Sequence, residues 1–389
     1  MTNQSLINRA FRKSIRMGIP PKWFNYRWVE KETVTGYIDR KKLSKEDYFF
    51  ETIHETKQVQ NPLPCNIQDR GELPDDRGWW GYSFRDVSNR TSGETFMATL
   101  PDCKVVPCIN PDDNEFWITI LNEDERSLEM DQITLRPWNV EVLRSAKSAD
   151  KADKATWILE RVFRNHSHWL TSHLPKLIQL KERGELENVV LPPRSLRTSV
   201  IDSSFKILGI NPDEFRTLDY TRPLNVKELT VLETDRFRPE LLRSVRDVFC
   251  TTDEKPHRRL YISRAKAKRR QLINENDIWP LLEKMGFEKV FMEELSFSEQ
   301  ITAMQQAEIV VAPHGAAITN VIFCSPGTHV VEIADLSFPN PNFYALSSAM
   351  GHHYWILDAE GIGDVHPLKK DLYIDPSEVK NTVLKIYDY

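Results

Sequence analysis

The chain has 389 residues, of which 40% are hydrophobic and 28% charged, so its length predicts two domains and its composition is typical of a soluble globular protein. Its formal net charge of −5 at pH 7 argues against a surface that binds nucleic acid throughout. No run of about 18 apolar residues occurs, which argues against a transmembrane helix. Five scattered cysteines without zinc-site spacing, and an N-terminus without an apolar signal core, predict reduced thiols in a cytoplasmic protein.

The N-terminal stretch opens with a basic amphipathic pattern. Ile7, Phe11 and Ile15 fall on one helical face among arginines and a lysine. This pattern fits either a helix packed on the body of the protein or a peripheral helix at the inner face of a membrane. The whole stretch 1–95 is polar, rich in aromatic residues and irregular, and we predict an accessory segment there.

Residues 96–252 are predicted to form an N-terminal domain of short strands and helices. Its expected strands are "TFMATLPDCKVVPCI", "NEFWITIL", "NVVLPP", "FRTLDY" and "VKELTVLE". Helical spacing is predicted over 151–185, broken at Pro175, and again over 195–210 and 238–249.

The C-terminal third alternates more clearly between strands and helices. The expected strands are "RRLYISR", "FEKVFME", "IVVAPH", "THVVEIAD" and "HYWILDA", and the expected helices are "ENDIWPLLEKMG", "SFSEQITAMQQAE" and "AAITNVIFC". Ser296 and Glu299 form a predicted capping box. Continuous apolar strands between helices predict a doubly wound parallel sheet over 253–360, followed by a tail helix in 361–389.

The stretch "VVAPHGAAITN" places a polar turn where a buried strand ends. Parallel sheets bind ligands beyond the carboxyl ends of their strands, and a helix start presents unpaired N–H groups to an anion. His314, Thr319 and Asn320 add hydrogen-bonding groups, while Gly315 and Ala316 let a ligand approach the backbone. The turn therefore predicts a diphosphate site; a packing turn capped by His314 is the alternative.

A second strand end, "YISRAKAKRR", supplies positive charge. Ser263 and Arg264 stand at its tip and Arg270 follows, so that the arginines are placed to neutralise the same phosphates. A solvated basic loop is the alternative. Glu332, in the next apolar strand, is placed to bind a ribose diol or, alternatively, to pair with Arg264.

These motifs, from "YISR" through "LSFSEQI" to "VVAPHGAAITNVIFCSPGTHVVEI", resemble family 61 glycosyltransferases, which include bacterial capsular polysaccharide biosynthesis proteins. The resemblance covers about residues 95–360. It implies a GT-B fold of two Rossmann-like domains facing a cleft, a nucleotide-sugar donor (a UDP-sugar by default), inversion at the anomeric carbon and no metal or other cofactor. It also carries over donor-site residues: Arg264, His314, Gly315, Thr319, Asn320 and Glu332.

Two departures from the family pattern bear on catalysis. Ala317 stands where a glycine is frequent, which a helix start tolerates. Ser172 stands where relatives commonly carry an acidic residue, so the base that accepts the proton must be another group. His168 and His173 are the candidates from the N-terminal domain. Core histidines are the alternative, and His166 with His168 lacks a third metal ligand.

We therefore expect an inverting glycosyltransferase of capsular or surface polysaccharide synthesis, acting on a glycan or lipid-linked glycan acceptor. Another nucleotide-sugar enzyme, such as an epimerase, is one alternative. A non-catalytic subunit that binds nucleotide or carbohydrate is the other.

Overall fold

The structure, a computed structural model, describes residues 30–44, 46–78, 80–110, 114–146, 148–250 and 255–389, together with Lys13 and Met17. The amphipathic pattern of residues 7–16 lies outside these ranges apart from Lys13. Residues 30–250 surround one large sheet and are called the N-terminal lobe; residues 255–389 surround a second sheet and are called the C-terminal lobe.

The strands of the N-terminal lobe are β1 (Lys31–Glu32), β2 (Phe49–His54), β3 (Lys57–Gln60), β4 (Asn89–Ser92), β5 (Thr95–Ile109), β6 (Phe116–Leu121), β7 (Ser127–Leu128), β8 (Asp150–Trp157) and β9 (Leu224–Glu233). Its helices are α1 (Val34–Lys41), α2 (Phe84–Ser88), α3 (Pro137–Ser145), α4 (His166–His168), α5 (Leu174–Arg183), α6 (Ser199–Leu208) and α7 (Pro239–Phe249). A π-helical turn, Trp169–His173, joins α4 to α5.

The strands of the C-terminal lobe are β10 (Arg258–Ile262), β11 (Phe287–Val290), β12 (Ala307–Pro313), β13 (His329–Ala334), β14 (His353–Asp358), β15 (Glu360–Ile362) and β16 (Asp371–Tyr373). Its helices are α8 (Glu275–Lys284), α9 (Phe297–Gln305), α10 (Asn342–Met350) and α11 (Pro376–Tyr387), and Ala316–Phe323 forms a 3-10 helix.

The sheet of the N-terminal lobe corrects the predicted Rossmann-like domain. Its path is β1-β7-β6-β5-β9-β8, with β2 paired to β5, and β5 runs antiparallel to β2, β6 and β9. Parallel pairs occur between β8 and β9 and between β1 and β7. The sheet is therefore mixed, because hairpin-like connections join strands that a doubly wound sheet would separate by helices. Strands β1 and β2 also make residues 30–60 part of this sheet rather than an accessory segment.

Strand β8 corrects the helix predicted over 151–185. Residues 150–157 pair in parallel with β9, more than 70 positions later in the chain, and helix begins only at His166. The charged alternation of "DKADKATW" leaves one face in solvent, and local spacing does not reveal the distant partner. "NVVLPP" and "FRTLDY" form isolated bridges instead of strands. By contrast, β9, α6 and α7 are confirmed.

The second sheet confirms the predicted doubly wound domain. Its order is β11-β10-β12-β13-β14, and all neighbours are parallel. In chain order this is 2-1-3-4-5, the flavodoxin-like arrangement, whose direction of winding reverses between the first and third strands. The capping box of α9 is present, with Ser296 and Glu299 bonding reciprocally. The tail contains the β15–β16 hairpin before α11, so it is not a single helix.

Alternating residues cover the two faces of this sheet. Tyr261, Val311 and Trp355 pack against α8 and α11, whereas Leu260, Val310 and Ile356 join a larger cluster. That larger cluster continues into the N-terminal lobe, so one hydrophobic core joins the lobes on this face. Residues 65–66 bond the backbone of β14 and cover the edge of the sheet.

Candidate functional site

The reversal point of the parallel sheet lies between β10 and β12, the strands that the sequence singled out. Arg264 follows β10 and His314 follows β12, so both stand at the carboxyl edge of adjacent strands. The 3-10 helix begins at Ala316, with Gly315 as its cap. Crevices at such points are the usual ligand sites of open parallel sheets.

Arg264 and Gly315 are in direct contact. The guanidinium of Arg264 is oriented by two carbonyls of its own loop, with Nε bonding Arg270 at 3.0 Å and Nη2 bonding Arg269 at 2.8 Å. A Cβ added to Gly315 would overlap Nη1 of Arg264 and stand 2.8 Å from its Cζ. Glycine is therefore required at 315 by close approach, because any side chain would displace the arginine from the helix start.

Arg264 and Arg270 form a cationic pair with no carboxylate in direct contact among the described residues, although the charge of Glu332 acts on Arg270 from a distance. Neither makes an ion pair in the described part of the chain, and the Nε of Arg270 is buried without a hydrogen-bond partner. Burial, together with the charge of Arg270, lowers the pKa of Arg264 to about 10; burial also lowers the pKa of Arg270. Two partly buried like charges are costly unless an anion joins them, so the arrangement suits a phosphate group.

His314 is held on both ring nitrogens. Its Nδ1 bonds the carboxylate of Glu332, whose second oxygen accepts the hydroxyl of Tyr354 at 2.5 Å. On the other side, Nε2 lies 3.2 Å from Nδ2 of Asn340. Only 8% of His314 is exposed, and the Glu332 partner fixes the orientation of its ring.

Two of the sequence-predicted donor residues are committed to internal networks instead. Glu332 is fully buried with both oxygens bonded, so it cannot reach a ribose, nor does it pair with Arg264. Ser263 is 1% exposed and bonds the carboxylate of Glu275, which also bonds Tyr261 and Lys289. The sequence placed both residues at the right edge, but their side chains alternate into the interior.

The remaining turn residues divide between ligand-facing and structural positions. Ala316 is partly exposed at the helix start. Asn320 is buried and links the lobes, because its Oδ1 bonds Nε2 of His166 at 2.7 Å and its Nδ2 bonds Gln300 at 3.0 Å. Thr319 is also buried, and its hydroxyl has no partner. Of the turn residues predicted to bind the donor, Ala316 is thus the most accessible, while Gly315 is buried against Arg264.

A small pocket adjoins His314 beneath the β15–β16 hairpin. It is lined by Arg270, His314, Asp335, Phe338, Asn340, Lys370 and four apolar residues, Ala334, Pro367, Leu368 and Leu372. Asp335 follows β13, and its Oδ2 is buried without a partner while Oδ1 accepts the Ser337 N–H at 2.9 Å. The pocket thus combines two basic side chains with one unsatisfied carboxylate oxygen.

His173 is a core residue, which corrects its assignment as a candidate base. It is fully buried, its Nε2 accepts the N–H of Glu160 at 3.1 Å, and its Nδ1 donates to the carbonyl of His168 at 3.0 Å. Its ring stacks on Trp169 at 5.7 Å. Burial lowers the pKa of His173 to about 3, so no ring nitrogen is available to take a proton from a ligand.

His168 is partly exposed, and its ring contacts the guanidinium of Arg236. Its Nε2 lies 3.3 Å from Nη1 of Arg236, which also bonds Thr171 and Ser167. Burial, with the charge of Arg236, lowers the pKa of His168 well below its usual value. Because the arginine can only donate, the Nε2 lone pair is occupied, and His168 is a poor proton acceptor in this arrangement.

Two carboxylates near Arg236 were not predicted from the sequence as site residues. Glu233 ends β9 and is partly exposed, and Asp131 is exposed at a turn after β7. Burial raises the pKa of Asp131, although the residue is exposed at its turn. The polar run "ETDR" at the end of β9 could have indicated Glu233 as a candidate. Nothing in the sequence connects this run to residue 131.

Metal and membrane features were also searched over the described ranges. There, no group of three His, Cys, Asp or Glu side chains is arranged to hold a metal ion. None of the helices within those ranges is both long and apolar enough to span a bilayer. All five cysteines are free thiols.

Comparison with known proteins supports the resemblance in the sequence. The family model described as Glycosyltransferase 61 matches residues 166–331. A beta-1,2-xylosyltransferase of Arabidopsis thaliana is 27% identical over 97 residues, 22% of this chain and 18% of that protein. A beta-1,2-xylosyltransferase of Oryza sativa subsp. japonica is 25% identical over 99 residues, 23% of this chain and 19% of that protein. The chain therefore spans less than one fifth of these curated relatives. Together the matches show that part of this chain is similar to glycosyltransferase family 61.

Proposed function

We propose that the protein is an inverting glycosyltransferase whose nucleotide-sugar donor binds at the reversal point of the parallel sheet. The observation that carries this proposal is the pair Arg264 and Arg270, partly buried and without carboxylate partners, beside the start of a 3-10 helix. A diphosphate supplies the missing negative charge and accepts hydrogen bonds from the helix start.

The diphosphate and the nucleoside of the donor are assigned to neighbouring parts of the site. The diphosphate lies against Arg264, Arg270 and the backbone at Gly315 and Ala316. The nucleoside extends past His314 towards the adjoining small pocket, where Asp335 replaces Glu332 as the carboxylate for the ribose hydroxyls, because its Oδ2 is unsatisfied. The acceptor approaches from the side of the N-terminal lobe, as the GT-B fold implied by the family resemblance would require.

Departure of the diphosphate is the step that this site assists. When the bond between the anomeric carbon and the phosphate oxygen breaks, negative charge develops on the leaving diphosphate. The fixed guanidinium of Arg264, with Arg270 beside it, stabilises that charge without a metal. His314 stands at the same edge, where Glu332 and Asn340 hold its ring in a fixed orientation beside the proposed diphosphate.

We expect a UDP-sugar donor, and a glycan or lipid-linked glycan acceptor in surface or capsular polysaccharide synthesis at the cytoplasmic face of the membrane. Because two similar proteins are named as xylosyltransferases, UDP-xylose belongs in the first donor panel beside UDP-glucose, UDP-galactose and UDP-N-acetylglucosamine.

The test is release of nucleoside diphosphate and formation of a glycoside when the purified chain meets this donor panel and a panel of glycan acceptors, in EDTA. We expect turnover that depends on the acceptor. Donor sugar converted to an isomer without acceptor would indicate an epimerase instead. Saturable donor binding with no transfer to any acceptor would indicate a non-catalytic binding subunit.

A further inference from the structure

The parallel pair β8 and β9 brings acidic residues together at the end of the N-terminal sheet. Glu160 follows β8, while Glu233 ends β9 and Asp235 follows it. Glu160 forms a buried ion pair with Lys176, and Asp235 is held by Arg90 at 2.5 Å. Glu233, by contrast, forms no ion pair among the described residues, so this edge has one carboxylate with uncommitted charge.

A backbone contact fixes Glu233 in place. Its Oε1 accepts the N–H of Asp131 at 3.0 Å, and Asp131 lies in a tight turn closed by bonds between Met130 and Ile133. The second oxygen of Glu233 is not among the buried, unsatisfied atoms, and the residue is partly exposed. One oxygen is therefore anchored, while the other makes no hydrogen bond to the described residues.

A chain of polar contacts leads from the donor edge to Tyr82 in the N-terminal lobe. From His314, Asn340 leads to the backbone N–H of Asn342, and Oδ1 of Asn342 accepts the hydroxyl of Tyr82. The charges of Arg236 and Asp131 act on Tyr82, whose pKa burial raises to about 12. Tyr82 thus stands between the donor site and the carboxylates of the N-terminal lobe.

We propose that Glu233 is the catalytic base of the glycosyl transfer, and that Asp131 is its positioning residue. This inference rests on the proposed function. It assigns the proton acceptor that the replacement of an acidic residue by Ser172 left open. It also places the base on the lobe opposite the arginines, where the acceptor hydroxyl must stand if it attacks the anomeric carbon from the side away from the diphosphate.

The step balances as follows. Glu233 takes the proton of the acceptor hydroxyl as the acceptor oxygen forms its bond to the anomeric carbon. The bond between that carbon and the phosphate oxygen breaks, and its electron pair leaves with the nucleoside diphosphate. Glu233, now a neutral acid, returns the proton to water after the products depart.

The electrostatic surroundings suit this role. Burial raises the pKa of Glu233 to about 7; the negative charges of Glu160 and Asp131 also raise it, while Lys176 and the Asp131 N–H lower it. A base with a pKa close to the working pH combines a useful deprotonated fraction with proton affinity. The two histidines lack this combination, since His173 is sealed in the core and His168 is occupied by Arg236.

The test compares Glu233→Gln with Glu228→Gln, an exposed glutamate on the same strand that pairs with Lys154 at the surface. We expect Glu233→Gln to lower transfer at least about 100-fold, with the affinity for UDP unchanged within about twofold, and the control to keep full activity. Transfer by Glu233→Gln within about tenfold of the parent would overturn the proposal. If no donor supports transfer by the parent protein, the proposed function fails first.

Asp131→Asn provides a second test that a purely structural role would not satisfy. It keeps the backbone N–H and removes a negative charge that raises the pKa of Glu233. The acid limb of the kcat/KM profile, expected near pH 7 in the parent, should therefore move to lower pH. An unmoved limb would overturn the assignment, and this profile also decides the matter if Glu233→Gln fails to fold.

Discussion

The carboxyl edges of the two sheets carry side chains of opposite charge, and these side chains differ in their ion pairs. In the C-terminal lobe, Arg264 and Arg270 lie close together, partly buried, with no ion pair among the described residues. In the N-terminal lobe, acidic residues gather where β8 and β9 end, and Glu233 is left without a cation. We infer from this difference that an anionic ligand binds at the C-terminal edge and that the N-terminal edge supplies the proton acceptor.

Other buried carboxylates of the molecule have ion-pair partners, in contrast to Glu233. Glu275 is satisfied by Ser263, Tyr261 and Lys289, and Glu160 by Lys176. Burial of charge is tolerated when hydrogen bonds and counter-ions are complete. A charged side chain without an ion-pair partner at a sheet edge therefore indicates a candidate functional position.

The largest effect is expected from removing both cations of the C-terminal edge. Arg264→Ala with Arg270→Ala should weaken UDP binding at least about 100-fold, because each charged hydrogen bond is worth about 1.5–3 kcal/mol. Calorimetric titration measures the loss. Lys268→Ala, which removes an exposed charge from the same loop, is the matched control and should change the affinity by less than about threefold. Equal losses in both proteins would reduce the arginine pair to a diffuse basic surface.

A single methyl group should produce part of this effect. In Gly315→Ala, the new Cβ would overlap Arg264 and move its guanidinium away from the helix start. We expect UDP binding about tenfold weaker, with the melting temperature little changed, because the arginine is the end of a flexible side chain. Gly93→Ala is the control, since its Cβ would meet only an ordinary contact at 3.9 Å. Unchanged binding by Gly315→Ala would mean that Arg264 is not needed where it stands.

Glu332→Gln tests whether the histidine at this edge must be oriented. The amide keeps the shape of the carboxylate but removes the charge that holds Nδ1 of His314. We expect kcat to fall about tenfold and the free energy of unfolding to fall by about 1–3 kcal/mol, with KM for the donor nearly unchanged. If KM rose and kcat did not change, Glu332 would instead contribute to donor binding.

The smallest effect is expected from histidines that take no part in either edge. Burial lowers the pKa of His173 to about 3 and that of His352 to about 4, below the usual value of about 6.5. The unfolded chain therefore binds protons that the native protein does not, so stability is complete above pH 6.5 and is lost as pH falls towards 4. Each residue should contribute about 1 kcal/mol per pH unit. Urea unfolding at pH 7.5, 6 and 5 measures this slope, and a flat profile would contradict the assignment of both as neutral core residues.

The sequence predicted the C-terminal edge because its elements are local. Each strand of that sheet is a short apolar run followed by its own helix, and parallel strands bring their ends to one edge. Arg264, Gly315 and His314 were therefore placed together without knowledge of the fold. Glu332 and Ser263 were placed correctly along the chain but assigned the wrong role, because a side chain's facing depends on the register of the sheet.

The N-terminal edge was less predictable for a physical reason. Strand β8 looked helical because its partner β9 is about 70 residues away, and its exposed lysines and aspartates carry no strand signal. Glu233 and Asp131 meet only through the folding of strands that are a hundred positions apart. His173 resembled a catalytic residue by its spacing, and only its packing on Trp169 reveals a core position.

The measurement that tests the central claim most directly is calorimetric titration of the parent protein with UDP in EDTA, repeated with Arg264→Ala. We expect saturable binding to one site in the parent protein, weakened more than about tenfold by the substitution. Equal affinity in the two proteins, or no binding of UDP or of any other nucleoside diphosphate to the parent, would contradict a diphosphate site at the reversal point of the parallel sheet.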